Sequence, residues 1–324
     1  MYLATMVKAP MWAVGALCFK CFHKDLNPHQ RAVVLQILRH VGDVVHKALK
    51  YALDLAQPGV PVLELCEKVE EFIRANGAKP AFPVNVSINE VAAHYTAKRR
   101  DALEIPKSGV VKIDVGAHRD GYIVDAAVSI AFGSAFESLV KAARGALEAA
   151  LSLAKPGVRA WQIGEAVERV AKGYGFRPIY NLTGHKIERF ILHAGHVVPN
   201  YPDKTASQQL MPGDVYAIEP FVTNGEGQVV DGREVTIFRL LKMRHKSLQQ
   251  FIDVVGAEVG PLPFTPRWFP RLDDSVFTQA LKLGVIHGYE VLVERSRGYV
   301  AQFEDTVYIG EEGAVPLART LELL

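Results

Sequence analysis

The chain repeats part of its own pattern at an offset of 98 residues. Residues 48–60, ALKYALDLAQPGV, align with residues 146–158, ALEAALSLAKPGV, and the same offset pairs Gly77 with Gly175. Each copy predicts an amphipathic helix ended by Pro-Gly, a second helix, a glycine C-cap and an apolar strand. A period of roughly 100 residues predicts two similar half-domains rather than a solenoid of short units. A cleft between two such halves is a common place for a ligand site.

Four carboxylates and one imidazole lie in apolar, strand-like stretches where solvent-facing charge is not expected. They are Asp114 in VVKIDVGAH, Asp125 in GYIVDAAVSI, His185 in LTGHKIERF, Glu219 in VYAIEPFV and Glu304 in YVAQFEDTVYI. If these groups converge in a buried place, their formal charge approaches minus four, which two divalent cations would neutralise. The two aspartates follow the first copy of the repeat, whereas His185 and Glu219 follow the second. The sequence therefore predicts a dinuclear metallohydrolase.

The two aspartates belong to a predicted hairpin. Val110–His118 and Tyr122–Ala131 are apolar, β-branched runs that a short turn-forming segment separates. A register that pairs residues summing to 239 sets Asp114 directly opposite Asp125, and a sum of 241 makes them diagonal neighbours on one face. A sum of 240 would place them on opposite faces. On its own, the pair is also compatible with the wet face of a half-exposed hairpin.

Taken singly, the other ligands have ordinary explanations. His185 after Gly184 is typical of a turn or helix-cap histidine, and Glu219 before a proline is typical of an edge strand. His193 follows His185 by an even step, so both lie on one strand face if the segment stays extended, and His196 is expected to be peripheral. The occurrence of all five residues in one order favours a shared site.

Composition limits the alternatives. The chain is 49% hydrophobic and 22% charged with a net charge of +2, which is ordinary for a globular protein and gives no argument for a nucleic-acid or membrane partner. The cysteines at 18, 21 and 66 are too few for a disulfide framework. Cys18 and Cys21 with His23 resemble half of a zinc site, but no second cysteine pair follows.

Residues 1–26 are predicted to be an N-terminal extension. The apolar run Ala9–Phe19 has some signal-peptide character but is too short to span a bilayer and lacks a convincing cleavage site. Met6 and Met11 are alternative starts, so an overlong gene model is one interpretation. Asn27-Pro28 predicts a helix start, with an N-cap followed by proline at the first helical position.

Several motifs resemble those of the methionine aminopeptidases. The resemblance covers residues 27–324 and includes AFPVNVSINEVAAHYT, KIDVGAHRDGYIVDAA, LTGHKIERFILHAG, YAIEPF and AQFED. The separation of 85 positions between Glu219 and Glu304 resembles the type II subfamily, and the lack of a long charged N-terminal arm resembles its archaeal form. The resemblance implies an α+β, pseudo-symmetric pita-bread fold. Residues 27–237 and 299–324 would form the catalytic domain.

The resemblance also implies an inserted helical, winged-helix-like subdomain at residues 238–298. We expect its helices to end in a hairpin around Gly288–Tyr299, and we expect it to act as a lid on the substrate cleft. Its charge is only mildly basic, so no nucleic-acid specificity is expected.

Residue roles follow from the matching motifs. Asp125 and Glu304 would bridge two metals, Asp114 would chelate one of them, and His185 with Glu219 would complete the other. The resemblance also implies residues for catalysis and substrate binding. His94 and His193 would contact the scissile peptide, and Glu219 would carry a proton. Phe82 and Leu192 would form walls of a methionine pocket.

The implied activity is removal of the initiator methionine from chains with a small second residue, by a metal-activated hydroxide. Two divalent cations per chain are expected, with Co, Mn, Fe(II) or Zn suited to ligands rich in oxygen with one imidazole. The expected partner is the N-terminal methionine of nascent polypeptides, with the ribosome as a further candidate, in a cytoplasmic monomer without a membrane association.

The sequence departs from the family pattern at two positions. Asp305 replaces the usual histidine, where it either tunes metal affinity or points away, and Ala97 replaces a proline behind His94, which should loosen that loop. Two rival functions are an X-Pro aminopeptidase or dipeptidase of the same fold, and a non-catalytic binding relative. X-Pro enzymes usually carry a separate N-terminal domain, and non-catalytic relatives lose ligands that are all present here.

Overall fold

The computed structural model describes residues 27–324, so the predicted extension 1–26 and the cysteines at 18 and 21 lie outside the described residues. The helices and strands of the first part follow in this order: α1 Pro28–Leu55, α2 Val62–Ala75, β1 Lys79–Pro80, β2 Asn85–Ile88, β3 Val91–Ala93, β4 Gly109–Arg119, β5 Tyr122–Phe132, α3 Ser134–Leu153, α4 Ala160–Gly173, β6 Arg177–Pro178, β7 Thr183–Lys186 and β8 Val197–Pro199.

The second part of the chain contains more strands than helices. Its elements are β9 Val215–Ile218, β10 Phe221–Thr223, β11 Val229–Leu240, α5 Gln249–Val259, α6 Asp274–Lys282, β12 Ile286–Glu294, β13 Val300–Gln302, β14 Asp305–Ile309 and β15 Ala314–Pro316, with short 3-10 turns at Pro266–Trp268 and Thr320–Glu322. The predicted α+β class is confirmed. Among residues 27–324, no helix combines the length and the apolar character that crossing a bilayer requires.

The first helix begins where the sequence predicts. The Asn27 side chain accepts a hydrogen bond from the backbone N–H of Gln30, and the Gln30 side chain accepts one from the backbone N–H of Asn27, each at 2.9 Å. This reciprocal pair satisfies two of the amide donors that a helix start leaves free.

The internal repeat is visible in the structure. The bounds of α2, β1 and β2 coincide with those of α4, β6 and β7 when 98 is added to each residue number. Gly77 and Gly175 follow the second helix of each copy with φ of 78° and 82°, the left-handed conformation that a glycine C-cap adopts. The prediction of two similar halves is therefore confirmed.

The hairpin of β4 and β5 has a two-residue turn. Asp120 and Gly121 both have positive φ, at 54° and 85°, as a type I′ turn requires. The register pairs Asp114 with Ala127 and Gly116 with Asp125. Of the three registers considered, this one makes the aspartates diagonal neighbours on one face of the sheet.

The two halves meet edge to edge. The sheet that holds β1, β2, β4 and β5 adjoins the five-stranded sheet of order β15-β14-β9-β7-β8. Ala127 and Glu304 exchange two backbone hydrogen bonds at this junction. The Thr306 hydroxyl both accepts from the Asp125 N–H and donates to its carbonyl, each at 2.7 Å. A single large hydrophobic core lies between the joined sheets and the helices α1 to α4.

Residues 238–286 contribute to a second, smaller hydrophobic core of their own. Phe264 at its centre is fully buried and contacts the rings of Phe269 and Phe277. The predicted hairpin at Gly288–Tyr299 is wrong, because β12 pairs with β11, which precedes the two helices, and with β3. The long strand β11 carries the chain out of the main domain and β12 returns it. The domain boundaries at residues 238 and 298 stay predictions.

The close packing of α1 generates a stability prediction. A methyl group at Gly42 would overlap the backbone carbonyl of Leu317, whereas one at Gly173 near the end of α4 would meet nothing within 4 Å. We expect Gly42→Ala to lower the free energy of unfolding by about 1–3 kcal/mol, as overpacking does. The matched variant Gly173→Ala should raise it by about 0.5–1 kcal/mol, because alanine favours a helix. Urea unfolding midpoints measure both, and equal midpoints for the two variants would contradict the packing described.

Candidate metal centre and substrate cavity

Three of the candidate carboxylates lie in one row across the joined sheets. Asp114 on β4 is opposite Ala127 on β5, and Ala127 is bridged to Glu304 just before β14. The pairing of β9 with β14 and that of β10 with β13 continue one register, since Ile218 is opposite Asp305 and Phe221 is opposite Gln302. Glu219, in the break between β9 and β10, therefore falls opposite Glu304. Because residues that face each other across strands are close neighbours, the row concentrates negative charge.

Asp125 and His185 complete the group. Asp125 precedes Ala127 by two residues, so it shares a sheet face with Asp114. His185 on β7 places its Nε2 atom 3.6 Å from Oε1 of Glu219 and 3.7 Å from Oδ2 of Asp125. Ligand atoms of Asp125, His185 and Glu304 all lie within 4.8 Å of one another. The five side chains singled out in the sequence thus meet in one place.

Burial and mutual repulsion dominate the electrostatics of the cluster. Desolvation raises the pKa of Asp114 to about 7. Burial, followed by the charges of the neighbouring carboxylates, raises the pKa values of Asp125, Glu219 and Glu304 well above their ordinary range. Within the described chain, no lysine or arginine pairs with these carboxylates, and the basic side chain beside them is the His185 imidazole. The cluster therefore lacks the fixed cation that would stabilise its ionised form.

The donor atoms that remain fit a divalent cation. Oδ1 of Asp114, Oδ1 of Asp125, Oε1 of Glu304 and Nδ1 of His185 are buried and have no hydrogen-bond partner in the described chain. Buried polar atoms without partners are rare, and a bound ion is one of the usual reasons for them. Carboxylate oxygens with one imidazole suit Mn, Fe(II), Co or Zn rather than a closed thiolate site.

An adjacent cavity of about 350 Å³ opens onto the cluster. Its walls include all four predicted substrate contacts, His94, His193, Phe82 and Leu192, together with the predicted ligands. Phe82 can reach this wall because Gly116, opposite Asp125, has no side chain; a methyl group there would overlap the Phe82 ring. The cavity is thus apolar on one side and ionisable on the other.

The two histidines His94 and His193 of the cavity wall lie on different segments. His94 follows β3, its Nδ1 atom is 3.1 Å from the carbonyl oxygen of Glu290, and its ring contacts Tyr289 edge-on. His193 does not continue the strand of His185, because the chain turns between Glu188 and Ile191. The turn nevertheless brings the two rings together, with centroids 4.3 Å apart.

All three imidazoles are held neutral. Desolvation, with a smaller contribution from His193, lowers the pKa of His185 to about 3. His193 lines the cavity, and desolvation with the nearby His94 and Arg239 lowers its pKa to about 4. Desolvation likewise lowers the pKa of His94. At neutral pH each ring can therefore both donate and accept a hydrogen bond.

Other residues at the site escaped notice in the sequence. The Gln302 amide donates to Oε2 of Glu304 at 3.0 Å and lies 3.4 Å from Oε2 of Glu219. Its position two residues before Glu304 was the available signal, since alternate residues of a strand share a face. Tyr289 and Ile237 line the cavity from β12 and β11. No local motif marks them, because their strands pair across the intervening helices.

Asp305 points away from the cluster. Its carboxylate accepts hydrogen bonds from the backbone N–H groups of Ala318 and Thr320 and from the Thr320 hydroxyl, at 2.8–3.0 Å. Burial raises its pKa to about 6 in spite of these bonds. Of the two alternatives for Asp305, tuning of metal affinity or pointing away from the metal site, the structure favours the second. Asp305 fastens the last described turn of the chain to the strand that begins beside Glu304.

Comparison with known proteins decides the family. The model of metallopeptidase family M24 matches residues 36–311. The chain belongs to this family. It is 41% identical over 286 residues to the methionine aminopeptidase of Pyrococcus abyssi, covering 86% of this chain and 97% of that protein. Membership of the methionine aminopeptidase group within family M24 is thereby confirmed.

Comparison with solved structures extends the likeness to the fold. A thermophilic Arx1 superposes with a TM-score of 0.76 at 19% identity, covering 90% of this chain and 93% of that one. The prolidase of Pyrococcus furiosus gives a TM-score of 0.59 at 20% identity, covering 88% of this chain but only 64% of that one. The predicted pita-bread fold is confirmed, while the roles of individual side chains remain predictions.

The pKa of Asp114 generates a prediction for metal binding. Without a bound cation, the folded chain keeps the Asp114 proton up to about pH 7, whereas the unfolded chain releases it at the ordinary pKa of 3.8. The folded state therefore binds more protons between these pH values, and the stability of the metal-free protein should fall as the pH rises through this range. A cation binds the deprotonated carboxylates, so the affinity for Mn²⁺ should weaken steeply as the pH falls below about 7. Calorimetric titration of the metal-free protein with Mn²⁺ at several pH values measures this, and an affinity independent of pH would contradict it.

Proposed function

We propose that the chain is a metal-dependent methionine aminopeptidase that removes N-terminal methionine from peptides whose second residue is small. The observation that carries the proposal is the convergence of four carboxylates and His185 at the floor of a cavity with apolar walls. The identity to the aminopeptidase of Pyrococcus abyssi, over nearly the whole of that protein, supports the choice of substrate.

The proposed ligand set holds two divalent cations. Asp125 and Glu304 would be shared between them, Asp114 would belong to one, and His185 with Glu219 would belong to the other. When bound, such cations supply Lewis-acid activation, which cleavage of an unreactive amide requires. Three of the four carboxylates have a buried oxygen without a described hydrogen-bond partner, and Nε2 of His185 lies beside the cluster, which supports a cation site there.

The chain's own residues would orient the substrate and move its protons. Phe82 and Leu192 provide apolar surface for the methionine side chain, in a cavity whose volume is near the lower end of the roughly 300–1,000 Å³ usual for ligand sites. Glu219, which lines the cavity beside His185, would carry a proton from the attacking water to the leaving amine. Neutral His94 and His193 would donate hydrogen bonds to the scissile carbonyl as negative charge develops on its oxygen.

The second residue of the substrate would lie against the part of the cavity wall that the contacting rings of His94 and Tyr289 form. A wide side chain there would clash, which accounts for the proposed preference for small residues. The setting that fits this activity is a cytoplasmic monomer that acts on nascent chains, with the ribosome as a proposed contact.

A peptide panel tests the proposal. We expect Met-Ala-Ser to be hydrolysed with release of free methionine, Met-Trp-Ser to be cleaved at least tenfold more slowly because of the clash, and Ala-Pro to resist. Chelation should abolish the activity, and Mn²⁺ or Co²⁺ should restore it. Cleavage of X-Pro dipeptides without cleavage of Met-Ala-Ser would favour the rival peptidase. A folded, metal-loaded chain without activity would favour a binding relative.

Asp125→Asn provides the matched test of the ligand set. Amide substitution keeps the size of the side chain but removes the charge of a proposed shared ligand, so we expect loss of at least one metal equivalent and loss of turnover. Metal content by elemental analysis, measured beside activity, checks this. Asp305→Asn is the control at another buried aspartate and should retain the metal content of the unmodified protein, because its carboxylate faces Thr320. Full metal content in Asp125→Asn would contradict the assignment.

A further inference from the structure

A buried ion pair joins the inserted residues to the main domain. Arg267, in the short 3-10 turn of the insert, donates to Glu70 on α2 through both terminal nitrogens, at 2.7 and 2.9 Å. Only 4% and 2% of the two side chains are exposed. The indole N–H of Trp268 donates to the same carboxylate at 2.8 Å. A two-pronged arginine–carboxylate pair fixes orientation as well as distance.

The remaining hydrogen bonds of this pair reach the segment that carries His94. Nε of Arg267 donates to the carbonyl of Ala97, and one terminal nitrogen donates to the hydroxyl of Thr96, each at 3.1 Å. Ala97, which replaces a proline behind His94, is fully buried. The predicted loosening of this loop is countered by the hydrogen bond from Arg267 to the Ala97 carbonyl. Thr96 also donates to the carbonyl of Val84 at 2.7 Å.

Glu70 reaches the other substrate-facing segment. Its Oε1 accepts a hydrogen bond from the backbone N–H of Val84 at 3.1 Å, two residues after Phe82. The ion pair therefore lies behind both the His94 wall and the Phe82 wall of the cavity. One of its partners comes from the insert and the other from the main domain.

His94 depends on this support because its backbone is strained. Its φ of 66° is in the left-handed region, which is unfavourable for a residue other than glycine and persists only where the surroundings fix it. The Thr236 hydroxyl donates to the His94 carbonyl and accepts from the Thr96 N–H, at 3.3 and 3.2 Å. Thr96 is thus the point at which the His94 backbone and the ion pair are connected.

We propose that Arg267, together with Glu70, is a positioning residue that holds His94 toward the scissile peptide, so that the insert controls turnover as well as covering the cleft. The inference rests on the proposed function, because it assumes that His94 acts on the substrate. Arg267 itself touches neither the candidate ligands nor the cavity, and it acts through Thr96 and Ala97.

Arg267→Lys is the sharpest single change. It keeps a positive charge beside Glu70 but loses the two-pronged pair and the N–H that binds Ala97. We expect kcat for Met-Ala-Ser to fall by about tenfold to 100-fold, because displacement of a catalytic group by about 1 Å has effects of that size. The KM and the metal content should change by less than about twofold, since Glu70 keeps its hydrogen bond to Val84 behind the Phe82 wall and the ligands are not altered.

Arg99→Lys is the matched control. Arg99 contacts the same inserted segment through the carbonyls of Pro266, Phe269 and Leu272 but has no described hydrogen bond to Thr96 or Ala97. It should retain kcat within about threefold, because the hydrogen bonds that hold Thr96 and Ala97 come from Arg267 and stay in place. An equal loss in Arg99→Lys would assign the effect to docking of the insert and overturn the proposal.

A double-mutant cycle with His94→Ala separates positioning from general damage. If Arg267 acts through His94, Arg267→Lys should have little further effect on kcat once His94 is removed. Additive losses would overturn the proposal. If Arg267→Lys does not fold, the doubly neutral variant Glu70→Leu with Arg267→Met avoids an unpaired buried charge and takes its place in the same cycle.

The outcomes distinguish this inference from the function on which it rests. No methionine release by the unmodified protein would overturn both. Methionine release that His94→Ala impairs but Arg267→Lys leaves unchanged would overturn only the positioning role. A fall in kcat with Arg267→Lys that disappears in the His94→Ala background supports it.

Discussion

The burial of four like charges around one imidazole is the constraint on which the rest of the structure depends. Isolated carboxylates resist transfer from water into a protein interior, and close pairs of them repel each other. The sheet junction at Ala127 and Glu304 nevertheless holds them side by side. Such an arrangement persists only if cations neutralise the carboxylates or protons bind to them. The raised pKa values of the cluster show that, without a cation, the protonated forms are favoured.

Pseudo-symmetry explains how one chain assembles such a cluster. Each half contributes one pair of acidic residues from a pair of antiparallel strands, Asp114 with Asp125 and Glu219 with Glu304. The bridge at Ala127 and the Thr306 hydroxyl bring the two ladders into a common row. The two halves differ at one of the proposed ligand positions. His185 occupies the position that Ser87 has in the first copy, so only the second half contributes an imidazole.

Part of this was predictable because it is local. The repeat fixed the order of helices, and Asp120-Gly121 is the strongest short signal of a two-residue turn, which selects the diagonal register of Asp114 and Asp125. The family motifs brought in His94 and His193. What the sequence could not provide was pairing between distant segments. The predicted hairpin at Gly288–Tyr299 was wrong because β12 pairs with β11, which lies two helices earlier in the chain. The same pairing places Tyr289 in the cavity.

The row from Asp114 to Glu304 has a consequence for how the molecule comes into being. Its members belong to strands that are distant in sequence, so the chain must close long loops before any of them meet, and contacts of that kind form slowly. During this time the acidic strand edges are solvated, and only the finished junction expels their water. We therefore expect the capacity to bind metal to arise late in folding, together with the native topology.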